Sequence, residues 1–350
     1  MDNEVEPAVV ARMMEVTEAN YGVAQEYVGL KARLLGLAKL ANYDQYASLF
    51  EEMPRRSYAE AKETVVEAFE GFSPRFAEIA RKFFDGRWID AEVRPGKRGG
   101  AFSAGCVPSV HPYILLNHTD KLRDVSTMAH ELGHGVHQYL SRKQTYLNFG
   151  HPLTTAETAS VFAEFLVFSH LMKREKDPRV RLGLLCSKIE DAFATIFRQN
   201  VLTRFEQAAH GARRDHQLAT SEICDLWCEA NGRLFGEAVE MAPSYRWGWS
   251  YIPHFIHVPF YCYAYVFGEL LVLSLYRMHQ EEGERFTPRY IELLEAGSSS
   301  APDRLLGRLG VEIREADFWQ KGLNVLAELV TQAKEVAETV MPRSRPEKGG

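Results

Sequence analysis

The sequence predicts a mainly α-helical protein in which one short β region interrupts a long series of helices. Three observations predict it. Apolar residues recur at helical spacing from about Glu6 to Leu40 (Met13, Val16, Val23, Tyr27, Leu30, Leu34, Leu37), with Asn20 the one polar break in the stripe. Helix-start signals recur at Ser57, Ser73-Pro74, Asp177-Pro178 and Thr287-Pro288. Between the Pro74 and Pro178 starts lies the one stretch with strand character.

The N-terminal stripe reads as helix from Glu6 to Leu40. Ser57-Tyr58-Ala59-Glu60 is a capping box, in which the Ser57 side chain and the Glu60 carboxylate each satisfy a backbone N–H left over at a helix start. That helix is expected to run to about Phe72. Ser73-Pro74 opens the next, because proline at the first helical position has its φ preset and no N–H to lose; Gly86 ends it. Arg94-Pro95-Gly96-Lys97-Arg98-Gly99-Gly100 is a loop, and Ala101 to Val107 and Pro112 to His118 read as two short strands separated by Pro108. Helices follow around Thr127–His137 and from Leu153 onwards. Val258 to Tyr276 is nearly as long as a membrane span, but it holds Gly268 and Glu269 and starts half aromatic, so it reads as a buried helix. Gly297-Ser298-Ser299-Ser300-Ala301-Pro302 is linker-like, and residues after Met341 read as a disordered tail. Residues 1–341 are expected to form one domain.

Composition narrows the function classes. The chain has 350 residues, 46% hydrophobic and 25% charged, which supplies ample core for a globular protein. Its net charge of −6, with no long basic run, argues against a nucleic-acid partner. The N-terminus is acidic and carries no signal-peptide pattern. Five scattered cysteines (Cys106, Cys186, Cys224, Cys228, Cys262) are expected as small buried hydrophobes in a reducing cytoplasm.

Chemistry concentrates in Thr127-Met128-Ala129-His130-Glu131-Leu132-Gly133-His134-Gly135-Val136-His137. At about 100° per residue, His130 and His134 share one helix face, one turn apart, with Glu131 beside them. Two imidazoles so placed can bind one Zn²⁺, and the glutamate can reach a water on it. A catalytic zinc needs a third protein ligand and one open position. One solution would place glycine and histidine at positions that here hold His137 and Leu140, so it fails. The other takes a glutamate from a later helix. Glu157 is followed at i+7 by Glu164 among small and apolar residues (Ala156, Ala159, Val161, Phe162), where buried carboxylates would want a cation. Glu157 is therefore read as the third ligand and Glu164 as the group orienting a histidine, against the plainer alternative of a solvated helix face.

Three further residues carry expectations. Asp124 could accept from a ligand histidine or favour the positive helix N-terminus, and the second role is preferred. His137, one turn beyond His134, is expected to line the cleft. Asn117, with the backbone of Ala101 to Val107, would hold an extended peptide, since an open edge strand can pair with one; the alternative is a hairpin that only braces the helix.

The runs Thr127 to His134 and Ala156-Glu157-Thr158-Ala159-Ser160 resemble the oligoendopeptidase F group of the thimet oligopeptidase-like (M3) metallopeptidases. Tyr251 to Tyr265 is similar to that family's second active-site segment, and Ala296 to Pro302 with Asp317-Phe318-Trp319 fits as well. The resemblance implies an elongated, zincin-like multi-helix catalytic domain with one Zn²⁺ on His130, His134 and Glu157, and Glu131 as general base. It also implies that the second segment stabilises the tetrahedral intermediate, with His254 and Tyr261 the first candidates and His257 and Tyr263 the next. Family members commonly have a tyrosine close after the histidine, where this chain has Ile256 and His257. They also carry a further N-terminal helical lobe, which this chain is expected to lack.

The expected function is a cytoplasmic zinc metalloendopeptidase acting on short oligopeptides, with no nucleic-acid or membrane partner. Two alternatives stand beside it: a zinc exopeptidase on a related scaffold, which would need a free peptide end, and a helical protein that binds metal and peptide without turnover.

Overall fold

The computed structural model describes residues 5–50 and 53–341. In chain order its helices begin with α1 (Pro7–Ala19), α2 (Tyr21–Leu34), α3 (Tyr58–Phe72), α4 (Pro74–Asp85) and α5 (Leu122–Ser141). They continue with α6 (Leu153–Ala156), α7 (Thr158–Arg174), α8 (Pro178–Thr195), α9 (Phe197–Arg213) and α10 (Thr220–Phe235). The described set ends with α11 (His254–His257), α12 (Tyr263–Glu282), α13 (Phe286–Glu295), α14 (Pro302–Gly307) and α15 (Ala316–Val340). Five short strands accompany them: β1 (Leu40–Ala41), β2 (Ile89–Asp90), β3 (Phe102–Ala104), β4 (Tyr113–Leu115) and β5 (Val239–Glu240). The protein is mainly α, as the periodicity predicts. The tail after Met341 lies outside the described residues.

Contacts divide the chain into two compact units. The first is drawn, among the described residues, from 5–16, Met53–Arg174 and Phe267–Leu323. Its centre is α5, which packs on α7, α3, α4 and α13 and on strands β3 and β4. Phe72, Phe76, Phe162, Phe286 and Tyr290 form an aromatic core around them, with Phe162 and Tyr290 stacked at 4.5 Å. The second unit is drawn, among the described residues, from 17–50, 175–266 and 324–341. There α10 packs on α9 and α2, and α8 on α9, around Trp227, Phe205, Phe197 and Phe193.

Local signals set several helix starts, though not the one expected at Thr287-Pro288, where α13 begins at Phe286 without a side-chain cap. Ser57 and Glu60 exchange the capping-box hydrogen bonds (Ser57 N–H to Glu60 at 2.8 Å). Ser73 accepts from the Phe76 N–H and Asp177 from the Arg179 N–H, each with proline next in the chain. The N-terminal helix is two helices, not one. It breaks at the polar Asn20 and stops at Leu34, shortly before Gly36 takes a left-handed φ of 71°. The helix expected from Val258 begins only at Tyr263.

The β region is shorter and richer than the hairpin expected. Strand β4 lies between β3, antiparallel, and β2, parallel, so the unforeseen β2 makes a third strand. Strand β3 ends at Ala104, two residues before Cys106 turns left-handed at φ 55°. The loop before β3 is pinned from beneath. The buried Lys97 ammonium donates to the Asp90 carboxylate (3.0 Å) and to the Glu92 and Leu116 carbonyls (2.9 and 2.6 Å). Two cysteines depart from expectation, since Cys106 and Cys228 are exposed while Cys186, Cys224 and Cys262 are buried. Among the described residues no helix is long and apolar enough to cross a membrane.

Candidate metal centre

The candidate centre lies in the first unit, where α5 crosses the junction of α6 and α7. The two helices approach closely because Gly133 has no side chain: a Cβ there would stand 2.5 Å from the Ala159 carbonyl oxygen and 2.6 Å from Ser160 Cα. Asp124 sits in the first turn of α5 and accepts from the Thr119 and Lys121 backbone N–H groups at 2.6 and 3.1 Å. It serves the helix start, the role preferred for it, and not a histidine.

His130 and His134 point their Nε2 atoms at one spot, 3.1 Å apart. The helix carrying Glu157 is broken at that residue (φ −84°, ψ 0°), and its carbonyl accepts the Val161 N–H that starts α7. The break releases the side chain. Glu157 Oε2 stands 3.4 Å from each histidine Nε2. Three donors about 2.1 Å from a common tetrahedral centre would lie about 3.4 Å from one another. Two imidazoles, a carboxylate and this near-equilateral triangle fit a zinc-type divalent cation. Glu157 was expected to be buried, yet its side chain is 42% exposed, which leaves room for a fourth partner.

The surrounding groups hold the triangle. Glu164, two turns along α7, meets His130 Nδ1 at 2.6 Å and so directs Nε2 inward. Ser160 Oγ donates to Glu157 Oε2 at 2.6 Å, a contact that sequence reasoning did not foresee although Ser160 stands in the quoted motif. Tyr290 also went unforeseen; its buried hydroxyl donates to the Thr158 carbonyl at 2.7 Å and fixes the first turn of α7.

A model of peptidase family M3 matches residues 1–325. The chain belongs to peptidase family M3. Within the family its similarity is to oligoendopeptidase F proteins. It is 28% identical over 344 residues to oligopeptidase PepF of Bacillus subtilis, covering 95% of this chain and 51% of that one. An oligoendopeptidase F homolog of Lactococcus lactis is 28% identical over 339 residues, covering 96% and 56%. A solved Chlamydophila abortus structure shares the fold with TM-score 0.89 and 26% identity, over 95% of this chain and 56% of that one. The chain thus spans about half the length of the curated relatives it matches.

Electrostatics of this M3 centre favour a cation. Burial opposes a charge on His130, but the Glu164 hydrogen bond and the charges of Glu164, Glu157 and Glu131 outweigh it and lift the ring to about 9. Glu131 is 6% exposed, and its Oε2 has no hydrogen-bond partner among the described residues. Burial raises its carboxyl to about 7; Glu157 and Glu164 add to the shift and His130 opposes it. A buried carboxyl beside a candidate metal triad is the kind of group whose environment marks a functional site.

Two expected substrate contacts sit differently. His137 is 3% exposed and stacks on His151 at 3.6 Å, so it faces the interior and does not line a cleft. The Asn117 amide donates to the Arg98 and Gly100 carbonyls at 3.0 and 2.8 Å, bracing the loop before β3. Strand β3 is itself tied to α5, with Ser103 Oγ donating to Gln138 at 2.8 Å, and its outer edge is unpaired among the described residues.

The His254 to Tyr265 segment belongs to the second unit. His254 and Tyr261 stack in parallel at 5.9 Å, Tyr261 meets Tyr265 edge-on at 5.0 Å, and the Tyr265 hydroxyl is 3.4 Å from His254 Nε2. His257 is exposed, outside this cluster. Tyr265, four residues after Tyr261, joins the ring cluster; the i,i+4 spacing was the available signal.

Proposed function

We propose that the chain is a zinc-dependent metalloendopeptidase hydrolysing internal bonds of short oligopeptides, and that it works in the cytoplasm, where its five free thiols suit a reducing setting. One observation carries the reading: a buried glutamate, Glu131, with a bare carboxylate oxygen lies next to a His130–His134–Glu157 triangle of zinc dimensions. Zn²⁺ held by those three residues would acidify a water and polarise the scissile carbonyl. Glu131 takes the proton of the attacking water and returns it to the leaving amine. Glu164 and Ser160 hold His130 and Glu157 in position throughout. The free edge of β3 offers backbone groups to an extended peptide, and its tie to α5 gives that peptide a register. His254 and Tyr261 are proposed as donors to the developing oxyanion, with His257 and Tyr263 as the weaker candidates; the family resemblance and the paired rings support this.

The decisive experiment is hydrolysis of an internally quenched peptide of about ten residues, blocked at both ends, by the zinc-loaded protein and its Glu131→Gln variant. The expected result is cleavage that falls by about a thousandfold or more in the variant with zinc still bound. Cleavage only of peptides with a free end would replace the endopeptidase reading with an exopeptidase. Metal binding without turnover of any peptide would leave a binding protein.

A further inference from the structure

Phe260 is one of four non-glycine residues with positive φ among the described residues, at 58°. Side chains with a Cβ avoid that region, so something must hold Phe260 there. Packing of its own ring is a weak candidate, because Phe260 is 41% exposed. What meets it is α9. Along one face of that helix Phe205 contacts the Phe255 ring at 5.1 Å, Glu206 Oε1 accepts the Phe260 N–H at 2.9 Å, and His210 contacts the Phe260 ring at 4.7 Å. Glu206 is only 2% exposed. Burial pushes its carboxyl upward, while the Phe260 N–H and the nearby His210 and His254 pull it back. A buried carboxylate on a single backbone N–H is a costly arrangement unless that hydrogen bond sets something.

The residue after Phe260 is Tyr261, stacked on His254. We infer that Glu206 is a positioning residue: by holding Phe260 left-handed it fixes where Tyr261 lies relative to His254 and Tyr265. Glu206 reaches the Tyr261 ring through the backbone of the turn, by its bond to the Phe260 N–H. The consequence for rate rests on the peptidase reading above; the clamp itself does not.

The test pairs kinetics with hydrogen exchange on the full chain. Glu206→Ala should speed amide exchange in residues 258–263 and lower kcat about 30-fold while KM moves less than about threefold, as for loss of an interaction made in the transition state. Glu206→Gln keeps an acceptor oxygen and should retain most of the rate. Glycine adopts positive φ freely, so adding Phe260→Gly to Glu206→Ala should restore much of the lost kcat, a rescue that a merely structural defect would not show. Combined with Tyr261→Phe, Glu206→Ala should cost little more than Tyr261→Phe alone. Unchanged exchange in Glu206→Ala overturns the inference whatever the kinetics. So does a rate loss that Phe260→Gly fails to relieve. Wild-type protein that cleaves nothing would refute the peptidase reading alone, and the exchange data would still decide whether Glu206 clamps the turn.

Discussion

A single oxygen atom shows how finely the centre is set. Glu157 Oε2 faces both histidine Nε2 atoms and also accepts from Ser160 Oγ, so the serine decides which way the carboxylate turns. Ser160→Ala should therefore weaken zinc affinity by about tenfold, and Glu164→Gln, which loses the charge behind His130, by about tenfold to a hundredfold. Competition with a chromophoric chelator measures both; unchanged affinity in Ser160→Ala would mean that the metal alone orients Glu157. The residue types here were legible in advance, because His-Glu-x-x-His leaves few chemical options. The role of Ser160 was not legible, since a serine three residues after a glutamate reads equally well as a small packing residue.

At the scale of elements, the centre depends on how closely α5 can approach α7. Gly133 sets that distance, with the Ala159 carbonyl where its Cβ would be. Gly133→Ala should destabilise the fold by about 1–3 kcal/mol through overpacking and weaken zinc binding as the ligand helices part. A thermal melt with and without zinc tests this, and a variant as stable as wild type would show that the helices slide without cost. Helix starts were readable because Ser57, Ser73 and Asp177 act on backbone groups only a few residues away. The break at Glu157 was not, because Leu153 to Arg174 has continuous helical character and only packing against α5 makes the interruption worthwhile. The same holds for β2, two residues long and stabilised by its pairing with β4.

Across the whole molecule, the stacked His137–His151 pair makes stability depend on pH. Burial, joined by the charges of neighbouring histidines, holds His137 well below its ordinary value of 6.5 and His151 at about 4. The unfolded chain then binds more protons than the folded one below pH 6.5, so stability falls as pH drops from there towards 4, by up to about 1.4 kcal/mol per pH unit for each ring. In chelator, so that metal loss does not enter, His151→Phe should flatten the dependence of the urea midpoint on pH across that window. Parallel curves for variant and wild type would show that the rings are not held neutral. The sequence by itself determined the helical class, several helix starts and the three side chains that form the candidate metal triad, because these follow from periodicity, from neighbours within one turn and from ligand chemistry. Only the tertiary structure decided that His137 faces inward, that Ser160 and Tyr290 serve the centre, and that Glu206 holds the turn at Phe260. Those outcomes depend on groups between 3 and 132 residues apart in the chain, whose meeting is set by packing and leaves no local pattern to read.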